Sequence, residues 1–216
     1  MSNKMGESQI IDFFSSYMKD VFRDEFGKNG KYSIGNFSGS QDRKFADFFA
    51  GTDSNNILIE FKEFRNETSA EKEKPLRKKL CQTLTNNVAL LSRSCHFIGW
   101  GKRQSSTEVE FSPYIDCVCK FWGAAHLKTP DIKSHGPFVN CFINGKLGVT
   151  HSQFIIYIEH LNSIAGGDEG GGKVGFKSIL YSRGKDGRLL GTRFDSLDDL
   201  NKLRQIKKPR SGIKPK

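Results

Sequence analysis

Three ionisable side chains stand inside apolar sequence. Asp47 lies in the stretch 45–50 (FADFFA), and Glu60 and Lys62 lie in 57–64 (ILIEFKEF). Charges buried in such surroundings are costly unless they are paired or used. Both stretches read as strands, joined by the polar turn 51–56 (GTDSNN), whose residues tolerate tight turn geometry. Side chains alternate along a strand, so Glu60 and Lys62 point the same way, about 7 Å apart. Ile57, Ile59 and Phe61 then face a core on the other side. Asp47 shares a face with Phe45 and Phe49 and can meet Glu60 and Lys62 across the strand pair. Two carboxylates and a lysine at one sheet edge suit a divalent metal beside a phosphodiester. Magnesium prefers oxygen ligands and retains several waters. Bound metal lowers the pKa of its water and offsets charge building on phosphorus, and a lysine adds positive charge there.

The bare pattern acid-x-Lys carries little information. With 24 acidic residues and 23 lysines, about two or three matches arise by chance. The chain has three: Asp42-Arg43-Lys44, Glu60-Phe61-Lys62 and Asp131-Ile132-Lys133. The first and third lie in polar, loop-like sequence, and only the second sits in an apolar strand with another acid on the strand before it. Asp42 and Asp53 also lie close to Asp47 in sequence, and the residues alone leave open which of the three faces Glu60. The competing reading of Glu60 and Lys62 is a buried salt bridge, although such pairs are weak stabilisers.

The elements needed to hold these residues are legible as hydrophobic periods. Apolar residues at 10, 11, 14, 18, 21, 22 and 26 predict a helix over 10–26, stopped by the glycines of 27–30. A short strand is expected at 31–37. Residues 68–93 read as a long helix, with Leu76, Leu80, Leu84, Val88 and Leu91 on one face and Pro75 suited to a first turn. Strands follow at 95–100, over 108–122 with a break at Pro113, and at 138–143. A helix is expected over 152–164, a glycine-rich loop over 165–172, a hairpin from 174–181 and 189–194, and a short helix over 196–204 capped by Ser196. The alternation predicts an α/β domain around a mixed central sheet flanked by helices.

Strand-Asp, turn, strand-Glu-x-Lys, long helix and strand resembles the core of the PD-(D/E)xK nuclease superfamily, a restriction-endonuclease-like fold, over roughly residues 10–101. The resemblance implies catalytic roles for Asp47, Glu60 and Lys62. Asp47 and Glu60 would hold Mg²⁺ or Mn²⁺, and Lys62 would position or activate the attacking water. Ala46 stands where the family often has proline. Some members add a glutamate from the first helix, for which Glu25 is chosen over Asp24. Others use a glutamine on the helix after the lysine, here Gln82, although the tyrosine that one subgroup has four residues on is Asn86. The implied activity is phosphodiester hydrolysis, in DNA above other nucleic acids, by an enzyme whose relatives often work as homodimers. The alternative is a non-catalytic nucleic-acid-binding protein of the same fold with an idle site.

Composition agrees with a nucleic-acid partner. Of the net charge of +10, seven basic residues and no acid fall between Lys202 and Lys216, and such a tail attracts polyanions. Lys207, Lys208 and Arg210 in this tail, with Lys72, Lys74, Arg77, Lys78 and Lys79, are the expected phosphate contacts; a solvated helix face is the other reading of the second group. The chain divides into a domain over 1–201 (core 10–101, elaboration 102–201) and the basic tail 202–216. No apolar run approaches the roughly 20 residues of a membrane helix, and a cytoplasmic setting is expected, with free thiols as the default for the five cysteines. Two further patterns are discounted. Residues 167–174 (GDEGGGKV) match much of a phosphate-binding loop but lack its hydroxyl at Val174 and follow a helix. Cys117, Cys119, His126, His135 and Cys141 lack the usual zinc spacing.

Overall fold

The computed structural model describes residues 6–26, 30–102, 108–167, 173–183 and 188–205. Strands β1 (Tyr32–Asn36), β2 (Phe48–Gly51) and β3 (Asn56–Lys62) form an antiparallel meander. β4 (His96–Gly101) lies parallel to β3, and β5 (Val109–Pro113) and β6 (Lys133–Ser134) continue antiparallel beyond it. A hairpin of β7 (Gly175–Arg183) and β8 (Leu189–Ser196) joins the other side through β1. The resulting sheet has the order β6-β5-β4-β3-β2-β1-β7-β8. The expected mixed sheet with flanking helices is therefore present.

Parallel pairing of β3 and β4 demands a crossover. It is supplied by a 3₁₀ segment, Arg65–Glu73, and helices α3 (Pro75–Gln82) and α4 (Asn86–Cys95). The crossover covers one sheet face together with α5 (Tyr114–Val118), α7 (His151–Ile164) and α8 (Leu197–Gln205), over a core containing Phe45, Phe49, Leu58, Ile98 and Trp100. Helices α1 (Glu7–Phe26) and α6 (His135–Ile143) cover the other face over Phe48, Ile57, Ile59, Phe61 and Phe111. Phe14 of α1 is the centre of that second core, against Phe48, Phe61, Phe111 and Phe138. The alternation read from 57–62 is thus realised, with the isoleucines and Phe61 on the α1 side and Leu58, Glu60 and Lys62 on the crossover side.

Several segments differ from expectation. The long helix over 68–93 is broken into the 3₁₀ segment, α3 and α4. Pro75 opens α3, and Thr85 caps α4 by accepting from the Val88 amide at 3.3 Å. After β5 the chain turns at Pro113 into α5 and a 3₁₀ turn, Cys119–Trp122, instead of a second strand. Residues 138–143 belong to α6; short apolar runs do not distinguish a buried strand from a buried helix. A short helix, α2 (Ser40–Lys44), links β1 to β2. The β7–β8 hairpin and α8 follow expectation, with the Ser196 hydroxyl accepting from the Asp199 amide at 3.2 Å.

Free thiols are not the rule throughout. Cys81 of α3 is disulfide-bonded to Cys119, across a Cα–Cα distance of 5.1 Å, whereas Cys95, Cys117 and Cys141 are free. No described helix is long and apolar enough to cross a membrane.

Candidate active site

The β2–β3 register sets the site. Phe48 pairs with Ile59, so Asp47, just before β2, lies opposite Glu60. Asp47 is fixed at both ends. Its carbonyl accepts from Phe37 at 2.7 Å, and its Oδ2 accepts from the Phe61 amide. Asp53 lies in the distant turn, where the charges of Arg204 and Lys31 act on it; Asp42 lies on α2. Of the three aspartates, Asp47 is the one that faces Glu60.

Glu60 is wholly buried and holds three cations. Lys62 Nζ lies 3.1 Å from Oε1, Lys74 Nζ contacts the same oxygen, and Arg77 Nη2 lies 3.1 Å from Oε2. A second buried acid, Glu71 of the 3₁₀ segment, shares all three cations. It lies 3.2 Å from Lys62, 2.9 Å from Lys74 and 3.7 Å from Arg77. Glu7, in the first turn of α1, approaches Lys62 at 3.7 Å. Four acids and three cations therefore converge at the end of β3. Behind them the Tyr114 hydroxyl donates to Glu71 at 2.6 Å, and His96 stacks on the Tyr114 ring with centroids 4.4 Å apart. His96 meets the Tyr157 hydroxyl at 2.8 Å, which donates to Ser92 at 3.0 Å.

The two facing carboxylates are driven in opposite directions. Burial and the adjacent Glu60 charge push Asp47 up to about 8. Burial opposes ionisation of Glu60 as well, but Arg77, Lys62 and Lys74 overcome it and hold the group well below the usual carboxylate range. Lys62 is held protonated: burial acts against its charge, but Glu60, Glu71, Asp47 and Glu7 outweigh it. His96 is driven down to about 3 by burial and by Arg77, so it is neutral.

Other expected site residues are not brought here. Glu25 is exposed at the far end of α1, about 27 Å along the helix from Glu7; Glu7 is the α1 acid that reaches the site. Gln82 is exposed at the end of α3. The expected basic face is split. Lys74 and Arg77 turn inward to Glu60, Lys72 rests over the Phe121 ring at 4.6 Å, and Lys78 and Lys79 are exposed. Lys207, Lys208, Arg210 and most of the glycine-rich loop lie outside the described residues. Sequence reasoning does not find Glu71, Tyr114 or the inward turn of Arg77. For Glu71 and Arg77 a signal existed in spacing: Glu71, Lys74 and Arg77 recur three residues apart, which places neighbouring helical residues on a common face. Tyr114 offers no such signal, because it sits in an apolar run.

Asp47 and Glu60 are the facing carboxylates that could hold a hard divalent ion, with both Glu60 oxygens paired here to Lys62, Lys74 and Arg77. Among the described residues no group of three or more His, Cys, Asp or Glu side chains is arranged as a metal site, so water and substrate oxygen would complete the shell, as magnesium tolerates. The fit rests on the β2–β3 register, which sets the Asp47 and Glu60 carboxylates facing each other. Lys74, with its side chain 40% exposed, is the cation placed to give way; Arg77 is 2% exposed. No protein-family model matches this chain, and no curated protein and no solved structure matches it.

Proposed function

We propose that this protein is a metal-dependent nuclease of the PD-(D/E)xK type, hydrolysing phosphodiester bonds in DNA. The observation that supports this most is Asp47 facing Glu60 across β2–β3 with Lys62 on the same face. Bound at Asp47 and Glu60, Mg²⁺ or Mn²⁺ would supply an activated water and offset phosphate charge. Lys62, protonated and held between Glu60 and Glu71, places a positive charge beside the scissile phosphate. Arg77 keeps Glu60 ionised, and Glu71 and Tyr114 keep Lys62 in register. A cytoplasmic setting and a homodimer that cuts both strands belong to the same proposal. The Cys81–Cys119 bond pulls against the first of these, because disulfides are rare in reducing compartments.

A second reading is favoured by the complete charge pairing of Glu60, in which the cluster is structural and the protein binds nucleic acid without cutting it. Supercoiled plasmid incubated with Mg²⁺ or Mn²⁺ separates the two. The nuclease reading expects nicking by wild type and activity lower by at least about 10²-fold in Glu60→Gln, Asp47→Asn and Lys62→Met, with each variant folded by circular dichroism. Plasmid left intact by wild type in both metals would overturn it.

A further inference from the structure

A groove of about 770 Å³ opens beside the cluster, within the size range of ligand pockets. Its floor continues the site: Lys62 pairs with Trp100 across β3–β4, and Trp100 pairs with Glu110 across β4–β5. Neighbouring strands lie about 4.8 Å apart, so Lys62, Trp100 and Glu110 form one row from the charge cluster into the groove. The 3₁₀ segment that carries Glu71 lines it with Arg65, Thr68 and Ser69, and Lys120 and Phe121 complete the lining.

Cations pair with the aromatic rings of the lining, two from the lining itself, Arg65 and Lys120, and one beside it, Lys72. Arg65 lies over Trp100 at 5.5 Å, and Phe121 carries Lys72 at 4.6 Å and Lys120 at 5.5 Å. Arg65, Lys72 and Lys120 are exposed, and no carboxylate among the described residues forms a salt bridge with them. Among the described residues of the lining the one acid is Glu110, which is already engaged, accepting from Trp100 Nε1 at 3.0 Å and lying 3.8 Å from Lys102. A cationic groove with a partly exposed ring in its lining is the arrangement that holds an unpaired polynucleotide strand, with phosphates on the lysines and arginine and a base on the ring. In a duplex the base faces are already stacked and cannot reach Phe121.

We infer that this groove binds a single-stranded segment of nucleic acid, with a base on Phe121 and backbone phosphates at Arg65, Lys72 and Lys120, and delivers the adjoining phosphate to Lys62. Taking the bound strand as substrate rests on the nuclease reading; the binding itself does not.

The test is fluorescence anisotropy of the full chain with labelled oligothymidylate, oligouridylate and a duplex of equal length, in EDTA so that no cutting intervenes. Either single strand should bind more tightly than the duplex. Phe121→Leu retains the apolar packing and removes the ring, and should weaken single-strand binding at least about fivefold. Arg65→Ala and Lys120→Ala should each lower the log–log salt slope by about 0.7. Duplex binding as tight as single-strand binding, or no effect of Phe121→Leu with the variant folded, overturns the inference. Single-strand binding with no plasmid nicking in metal would sustain the groove and defeat the nuclease reading.

Discussion

Asp47 carries the sharpest residue-scale consequence. Its folded pKa of about 8 stands above its ordinary value of 3.8, so the folded chain holds this proton more tightly than the unfolded one. The stabilisation is complete below pH 3.8 and is lost as pH rises through about 8. Glu60 has the opposite sign and loses its contribution on the acid side. Asp47→Asn cannot ionise and retains an acceptor for the Phe61 amide. Its stability relative to wild type should therefore improve as pH rises from 4 to 8, by at most about 1.4 kcal/mol per pH unit. Urea midpoints measured across that range check this, and a constant difference would refute it. Asp47, Glu60 and Lys62 were legible in sequence because strand alternation fixes a face with only local information. Glu7 was not, because its position depends on how α1 is laid across the sheet. The apolar period read from sequence begins at Ile10 and so left Glu7 outside the helix, and the acids weighed were Glu25 and Asp24 at its other end.

At the scale of elements, the crossover does two jobs. Its 3₁₀ segment brings Glu71 to the cluster, and α3 brings Arg77 and anchors, through Cys81, the turn that carries Lys120 and Phe121. The disulfide closes a loop of sequence separation 38, for which chain entropy allows up to about 4 kcal/mol. Reduction, or the double substitution Cys81→Ala with Cys119→Ala, should lower stability by up to that amount in urea unfolding. An unchanged midpoint would mean that the bond contributes nothing beyond packing. The sheet strands near the site, the β7–β8 hairpin, α1, α7 and α8 were visible in sequence because period and caps agreed. The breaks in the crossover were visible in Pro75 and Thr85 but were overridden by the continuous leucine period. The helices at 114–118 and 135–143 were hidden because they are buried and short, so apolar content carried no period to read.

For the whole molecule, charge is distributed in two tiers. Lys62, Lys74 and Arg77 are engaged by buried acids, whereas Arg65, Lys72 and Lys120 are exposed and, under the proposed function, would meet a polyanion together with the tail. Ending the chain at Gln205 removes five basic residues, Lys207, Lys208, Arg210, Lys214 and Lys216. It should weaken nucleic-acid binding without regard to sequence and flatten its salt dependence by about 0.7 to 0.9 for each phosphate no longer neutralised. Titrations at several salt concentrations would show this, and an unaltered slope would remove the tail from the interface. The β2–β3 hairpin, finally, imposes an asymmetry on how this protein can change. Its exposed turn at Asp53 and Ser54 lies at the end away from Asp47 and Glu60, so length can drift there with little effect on the facing acids. A single residue inserted or deleted between Ile57 and Glu60 would instead rotate Glu60 and Lys62 into the Phe14 core and bring an apolar pair to the groove. A change of length is therefore tolerated at the tip of the hairpin and not along β3.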